Sequence, residues 1–114
     1  MLERDIEAKL VREIKAMRGE CLKWVSPGTI GVPDRIVILP GGAVIFVELK
    51  TDEGRLTKLQ EYWNLRLNLL GCSAVVIRGE EDLERFLTIV RPVGWSQQIK
   101  ELIHECDRLS EQLG

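Results

Sequence analysis

Apolar side chains follow two periodicities along this chain of 114 residues, one typical of helices and one typical of strands. Near the N-terminus, Ile6, Leu10, Ile14 and Met17 recur at steps of three and four residues, which predicts an amphipathic helix. Short β-branched runs further along predict strands. In chain order we expect a helix over residues 3–18, strands over 35–39 and 43–49, a helix over 56–70, a strand over 72–78, and helices over 80–90 and after Ser96. This order predicts an α/β domain with a small mixed sheet flanked by helices.

The predicted hairpin around the Pro-Gly-Gly turn at 40–42 carries the first chemical signal. A three-residue loop there places Asp34 opposite Glu48, with Cβ atoms about 5 Å apart, and puts Lys50 on the same face. Facing carboxylates destabilise a hairpin unless a cation lies between them, and oxygen ligands suit a divalent cation. The alternative is a solvated hairpin face with an ordinary Glu/Lys pair. A two-residue loop would shift the register by one residue and separate the carboxylates.

Polar side chains also fall on helix faces that should be buried. On the first helix, Glu3 and Glu7 lie inside the apolar arc, where an ionised carboxylate needs a cation, a metal or hydrogen bonds. Otherwise the end of the helix frays and either side chain reaches solvent. On the second predicted helix, Gln60 lies in the middle of the apolar stripe. It either reaches the carboxylates of the hairpin or is a buried glutamine with ordinary hydrogen bonds.

Composition and charge exclude several classes of protein. With 45% hydrophobic and 30% charged residues, the chain has the composition of one ordinary globular domain, and no apolar run is long enough for a membrane span. The net charge of −2 argues against a basic nucleic-acid tail, although residues 9–23 carry five basic and two acidic side chains. Three widely spaced cysteines match neither a disulfide framework nor a zinc site, so we expect a reducing cytoplasm.

An Asp…Glu-x-Lys pattern runs from Asp34 to Lys50 and resembles that of the PD-(D/E)XK nuclease superfamily. Within it, the sequence is most similar to VRR-Nuc domains, which occur as small stand-alone proteins in phages and as the nuclease module of Fanconi-associated nuclease. The matching features cover about residues 3–90 and are Gly31-Val32-Pro33-Asp34-Arg35, the Gly-Gly hairpin, Phe46-Val47-Glu48-Leu49-Lys50, and Leu56 with Gln60. The first helix is also similar to that of cellular Holliday-junction resolvases, with Glu7 at the position of their first-helix glutamate.

The resemblance implies a PD-(D/E)XK restriction-endonuclease-like fold and metal-dependent hydrolysis of DNA. It implies that Asp34, Glu48 and the backbone carbonyl of Leu49 bind Mg²⁺ or Mn²⁺, and that Glu7 holds the metal shell through water. Lys50 would orient the attacking water or stabilise charge in the transition state, and Gln60 would steady Lys50 or that water. The expected catalytic set is Glu7, Asp34, Glu48, Lys50 and Gln60. Oxygen ligands without a nearby histidine favour Mg²⁺ or Mn²⁺ over zinc.

Four side chains around the motif are candidates for contact with DNA: Lys15, Lys23, Ser26 and Arg35. A basic rim around an acidic metal site suits DNA cleavage, although a solvated helix face would carry the same charges. No small-molecule cofactor and no membrane partner is expected. Related stand-alone domains act as homodimers on branched DNA, so the resemblance implies a homodimer that cleaves four-way junctions.

Two segments are expected: residues 1–92 form the nuclease domain, and residues 93–114 form an added C-terminal amphipathic helix that packs on the domain or on a second subunit. The apolar back of the second helix, Tyr62, Leu65 and Leu69, needs a cover from that helix or from a partner. Two other functions stay open. One is a catalytically idle module that binds nucleic acid or protein on the same scaffold, and the other is a nuclease subunit active only in a larger complex. We expect a cytoplasmic protein, in the bacterial host if a phage encodes it.

Overall fold

The computed structural model describes all 114 residues and consists of one four-stranded sheet and four helices. In chain order the elements are α1 (Glu3–Ala16), β1 (Glu20–Lys23), β2 (Arg35–Ile38), β3 (Val44–Lys50), α2 (Lys58–Leu69), β4 (Ser73–Arg78), α3 (Gly79–Val90) and α4 (Gln97–Leu113). The strands lie in the order β1-β2-β3-β4; the first two pairs are antiparallel and β3 pairs with β4 in parallel. The predicted mixed sheet with flanking helices is confirmed.

Strand β1 is the element that the sequence pattern missed. It has only four residues, and it is extended because it pairs along its whole length with β2. The turn before it is tight: α1 ends at Ala16, Arg18 takes a left-handed φ of 66°, and a Cβ on Gly19 would lie 2.6 Å from the carbonyl oxygen of Ile38. The helix predicted to run to residue 18 therefore ends two residues early, and the chain turns directly into the sheet.

The hairpin between β2 and β3 has the predicted register. The Leu39 N–H donates to the Ala43 carbonyl oxygen at 2.9 Å and closes a three-residue loop. Both glycines of this loop take positive φ, which the turn requires and other residues rarely adopt. Arg35 pairs with Val47, so the next positions along the two strands are Asp34 and Glu48.

The core lies on one face of the sheet, beneath α1 and α3. Alternate residues of β3, Val47 and Leu49, point into it. Its most deeply buried members are Ile6, Leu10, Ile14, Val37, Val47, Leu49, Ile77, Leu83 and Leu87. Helix α2 lies beside β4, where Asn68 hydrogen-bonds to both backbone groups of Ala74. Because side chains alternate along a strand, Glu48 and Lys50 point to the face opposite the core.

Helix α4 lies near the hairpin end of the sheet and is loosely attached. Arg18 and Asp107 form an ion pair at 2.8 Å, a cleft of about 680 Å³ separates α4 from the hairpin, and none of the α4 residues is buried. The apolar back of α2 stays exposed at Tyr62, Leu65 and Leu69. The alternative in which the last helix covers that surface within one chain is therefore wrong. No helix combines the length and the apolar character needed to cross a membrane.

Candidate active site

Two carboxylates face each other at the end of the two central strands, where β2 begins and β3 ends. Asp34 directly precedes β2, and one of its oxygens, Oδ2, accepts a hydrogen bond of 2.8 Å from the Leu49 N–H. On the other side, the Trp24 N–H donates to the carbonyl oxygen of Asp34 at 3.0 Å. The Trp24 ring packs against Phe46 with centroids 5.2 Å apart. Asp34 is thus held by the backbone on both sides, facing Glu48.

The Glu48 side chain is buried without enough polar partners for its charge. The residue is 4% exposed. Its Oε2 accepts one long hydrogen bond, 3.4 Å from Gln60 Nε2, and its Oε1 is buried with no partner. An ionised carboxylate in such a place costs several kcal/mol unless a cation compensates it, by the usual order of magnitude.

Burial, followed by the proximity of Asp34, raises the pKa of Glu48 from 4.5 to about 8. The two carboxyl groups are close enough to share a proton, and their like charges oppose each other. The Lys50 ammonium acts in the opposite direction, and Glu3 adds a smaller effect of the same sign as Asp34. The fold alone therefore favours a proton between Asp34 and Glu48, and a divalent cation at that position would replace it.

The donor set fits a magnesium or manganese ion. It consists of carboxylate oxygens beside a backbone carbonyl, that of Leu49, with no histidine or cysteine, and such ligands suit small hard cations that keep several waters. Nowhere in the chain do three acidic, histidine or cysteine side chains come together as a metal cluster. The orphaned Oε1 of Glu48 is the structural observation that supports a cation here.

Lys50 and Gln60 border the carboxylates. Lys50 ends β3, is half-buried and forms no salt bridge. Gln60 belongs to a capping box at the start of α2, in which the Thr57 N–H donates to its Oε1 at 2.9 Å and its own N–H donates to Thr57 Oγ1. The cap orients the Gln60 amide so that its Nε2 points to Glu48. Gln60 therefore contacts Glu48 rather than Lys50.

Glu7 and Arg35 form a separate ion pair on the core face of the sheet. Arg35 Nε donates to Glu7 Oε2 at 3.0 Å, and its Nη1 donates to the Cys21 carbonyl oxygen at 3.1 Å. The two side chains are only 18% and 29% exposed. The compensation that Glu7 needs thus comes from Arg35, and the structure does not bring Glu7 into the carboxylate pair. The hairpin register contained the signal, because Arg35 alternates with Asp34 and must face α1.

Of the other predicted DNA contacts, two lie at the site edge and one does not. Lys23 ends β1 next to Trp24, and Ser26 opens the loop that leads to Asp34. Lys15 lies at the far end of the sheet, where it lines the cleft beneath α4. The remaining basic side chains of residues 9–23 are in ion pairs, Lys9 with Glu80 and Glu84, Arg12 with Glu13, and Arg18 with Asp107.

Two further basic side chains, which no sequence motif indicated, flank the cap of α2. Arg55 and Lys58 are exposed on either side of Thr57, within one helical turn of Gln60. Lys58 makes only an exposed ion pair with Glu61 at 3.7 Å. Their place shortly after Lys50, Arg55 in the connection and Lys58 at the start of α2, was the available signal. They bring positive charge to the rim of an acidic site.

Comparisons with known proteins agree with this fold. No family model matches the sequence. The protein described as "Putative nuclease p44", from Acyrthosiphon pisum secondary endosymbiont phage 1, is 42% identical over 88 residues, which are 77% of this chain and 94% of the phage protein. A solved structure described as "VRR_NUC domain" superposes with a TM-score of 0.73 at 24% identity and covers 77% of this chain and 96% of that one.

The mixed four-stranded sheet and its helices match the fold of the VRR-Nuc domain, which is PD-(D/E)XK nuclease-like. The chain belongs to the same family as the phage protein described as a putative nuclease. The matched 77% of the chain accounts for nearly all of both relatives.

Proposed function

We propose that the protein is an endonuclease that hydrolyses DNA phosphodiester bonds with the help of Mg²⁺ or Mn²⁺. The observation that carries the proposal is the buried Glu48, whose Oε1 has no partner and which faces Asp34. A carboxylate pair that lacks an internal cation is suited to bind one from solution. Membership in a nuclease family supports the phosphodiester bond as the bond that is broken.

Asp34, Glu48 and the backbone carbonyl of Leu49 are the groups that would hold the cation. When bound, such a cation supplies Lewis-acid chemistry, since it polarises a phosphoryl oxygen and makes a water molecule more acidic. Asp34 is pre-oriented by the Leu49 N–H, so little rearrangement is needed to present its carboxylate.

The neighbouring side chains have separate tasks in this proposal. The Lys50 ammonium, which forms no salt bridge, donates to a phosphate oxygen or orients the attacking water as charge develops. Gln60 keeps Glu48 in place through the hydrogen bond to Oε2. Lys23 and Ser26 on one side, and the basic residues beside the α2 cap on the other, contact phosphates that flank the cleaved bond.

For Glu7 we propose a positioning role. Its ion pair with Arg35 fixes the first residue of β2, which directly follows Asp34. Arg35 is then a structural cation rather than a phosphate contact. The water-mediated metal contact that the resemblance implies for Glu7 stays a prediction.

The resemblance also underlies the proposed substrate and assembly, namely branched DNA such as a four-way junction and a homodimer. The exposed apolar back of α2 supports a dimer, because Tyr62, Leu65 and Leu69 are uncovered in the single chain. Leu65→Glu should give a monomer in analytical ultracentrifugation, whereas Leu113→Glu on α4 should not change the sedimentation. The phage source of the relative fits a protein of the bacterial host cytoplasm.

Residues 93–114 are proposed to be an addition to the nuclease domain. The matched 88 residues make up 94% of the phage relative, so that protein leaves little length for a counterpart of α4 and its linker. A chain that ends at Pro92 should still unfold cooperatively, because α4 contributes no buried residue.

A cleavage assay tests the proposed function. Labelled four-way junction, flap, nicked and linear duplexes are incubated in Mg²⁺, Mn²⁺ or EDTA with wild type, Glu48→Gln and the matched surface variant Glu111→Gln. We expect wild type and Glu111→Gln to cut the junction with metal only, and Glu48→Gln to be slower by a factor on the order of 10³.

Two results would contradict the proposal in different ways. If wild type binds Mn²⁺ but cuts none of the four DNAs, the chain is not a nuclease by itself. That result would favour a nuclease subunit that is active only in a larger complex. If wild type takes up no Mn²⁺ and binds DNA equally with and without metal, the protein is a catalytically idle binding module instead.

A further inference from the structure

The loop that leads into the active site carries an exposed isoleucine at its tip. Ile30 is 78% exposed, in the connection between β1 and β2. A single exposed apolar residue is ordinary on a protein surface. This one differs in two respects: its loop is packed in place, and a short series of contacts connects the loop to the carboxylates.

Packing, prolines and a hydrogen-bonded turn hold the loop on both sides of Ile30. The next residue, Gly31, has a φ of 95°, and a Cβ there would lie 2.6 Å from the Cβ of Leu59, so the backbone rests directly on α2. Pro27 and Pro33 restrict the two arms of the loop, and the Thr29 N–H closes a turn onto the Ser26 carbonyl oxygen at 3.0 Å. Contact of a partner with Ile30 therefore costs little loop-ordering entropy.

The same contacts locate Ile30 at the rim of the site. Gly31 rests on Leu59, the adjacent Gln60 donates to Glu48, and Asp34 follows Ile30 by four residues. The loop that carries Ile30 therefore lies next to the elements that hold the carboxylate pair. Exposed lysines lie near the two anchors of the loop, Lys23 at the end of β1 and Lys58 beside Leu59, and positive charge there suits phosphate contacts.

We propose that Ile30 is an apolar wedge that inserts at an unstacked base step beside the cleaved phosphate and thereby favours branched over linear DNA. Apolar side chains placed against a base step unstack it, at a cost of a few kcal/mol per step in intact duplex. At a branch point or a kink the stacking is already interrupted, so the same contact is made without that cost. The inference rests on the proposed function, and it assigns the selectivity to a residue outside the carboxylate motif.

The test uses 2-aminopurine at the branch point of a four-way junction, with the protein bound in EDTA so that no bond is cut. Wild type, Ile30→Ser, Ile30→Met and Ile89→Ser are compared; Ile89 is the matched control, since it is 81% exposed on α3 at the opposite face. Anisotropy confirms that the DNA is bound. Cleavage of junction and linear duplex in Mg²⁺ is then measured with the same proteins.

Binding of wild type, Ile30→Met and Ile89→Ser should raise the 2-aminopurine fluorescence, and Ile30→Ser should lose most of that rise. The ratio of junction to linear cleavage should fall about tenfold in Ile30→Ser only, with linear cleavage unchanged. Equal fluorescence in Ile30→Ser and wild type, no rise on wild-type binding, or no DNA binding at all would overturn the wedge. A fluorescence rise that depends on Ile30 without any metal-dependent cleavage would support the wedge and overturn the proposed function.

Discussion

Glu7 and Glu48 are both shielded from water, on opposite faces of the same sheet, but only Glu7 is hydrogen-bonded to a cation. Glu7 accepts a charged hydrogen bond of 3.0 Å from Arg35, which is itself held by the Cys21 carbonyl oxygen. Glu48 has a neutral amide at 3.4 Å and an oxygen with no partner, and its nearest acidic neighbour, Asp34, is a second carboxylate. One glutamate has its cation within the chain and the other does not.

The comparison distinguishes a buried charge that belongs to the fold from a buried charge that serves a functional site. An ion pair inside the fold gives each buried charge a partner of opposite sign within the chain. A carboxylate pair without a cation is unfavourable in the isolated fold, and such sites cluster where a protein binds a ligand or catalyses a reaction. The fold therefore carries a local cost at Asp34 and Glu48 that a divalent cation would remove.

The largest effect on stability should be a pH dependence centred on Glu48. Folding raises its pKa from 4.5 to about 8, so the protonated group contributes stability that is complete below pH 4.5 and is lost as the pH rises through about 8. Glu48→Gln imitates the protonated form. In EDTA it should exceed wild type in free energy of unfolding by on the order of a few kcal/mol at about pH 9, and by nothing near pH 4.5.

Urea unfolding of both proteins across this pH range measures that difference. Addition of Mn²⁺ at about pH 9 should stabilise wild type and leave Glu48→Gln unchanged. A difference between the two proteins that is the same at every pH would show that Glu48 is not a buried titrating group.

A smaller effect is expected at Glu7. Glu7→Ala leaves the Arg35 guanidinium partly buried without its carboxylate, and we expect a loss of about 2 kcal/mol in free energy of unfolding. The double variant Glu7→Ala/Arg35→Met removes both charges and should recover most of that loss. Urea unfolding at about pH 7 checks both. If Glu7→Ala keeps full stability but loses metal-dependent cleavage, Glu7 serves the metal shell and the positioning role is wrong.

The smallest effect concerns the single hydrogen bond that Glu48 receives. Thr57→Ala and Gln60→Leu each remove half of the α2 capping box, and each should cost about 1 kcal/mol of stability. Only Gln60→Leu also removes the donor to Glu48 Oε2, which should raise the pKa of Glu48 further. The pH at which stability is lost should therefore shift upward in Gln60→Leu and not in Thr57→Ala. The same pH midpoint in both variants would assign Gln60 to the cap alone.

Much of the site could be predicted from local patterns. The three-residue turn at 40–42 fixes the hairpin register by itself, because every later pair follows from counting outward. The hairpin register placed Asp34 opposite Glu48. Apolar periodicity predicted the helix ends to within a few residues. These features depend on residues that are close together in the chain, so a single sequence is enough to predict them.

Long-range partners could not be predicted in the same way. The sequence showed that Glu7 needed compensation, but Arg35 lies 28 residues away and competed with a metal as the answer. Strand β1 was missed because its four residues are extended only by pairing with β2. The basic segment 9–23 was a candidate rim for DNA, but acidic side chains of α3 and α4 pair with two of its cations. Glu80 and Glu84 both pair with Lys9, and Asp107 pairs with Arg18.

The most direct test asks whether Asp34 and Glu48 hold the divalent cation without direct coordination by Glu7. Isothermal titration calorimetry with Mn²⁺ at about pH 8.5, above the pKa of Glu48, tests it on wild type, Glu48→Gln and Glu7→Gln. We predict one Mn²⁺ per chain in wild type and in Glu7→Gln, and none in Glu48→Gln. Binding that is the same in Glu48→Gln as in wild type, or no binding by wild type, would contradict the account.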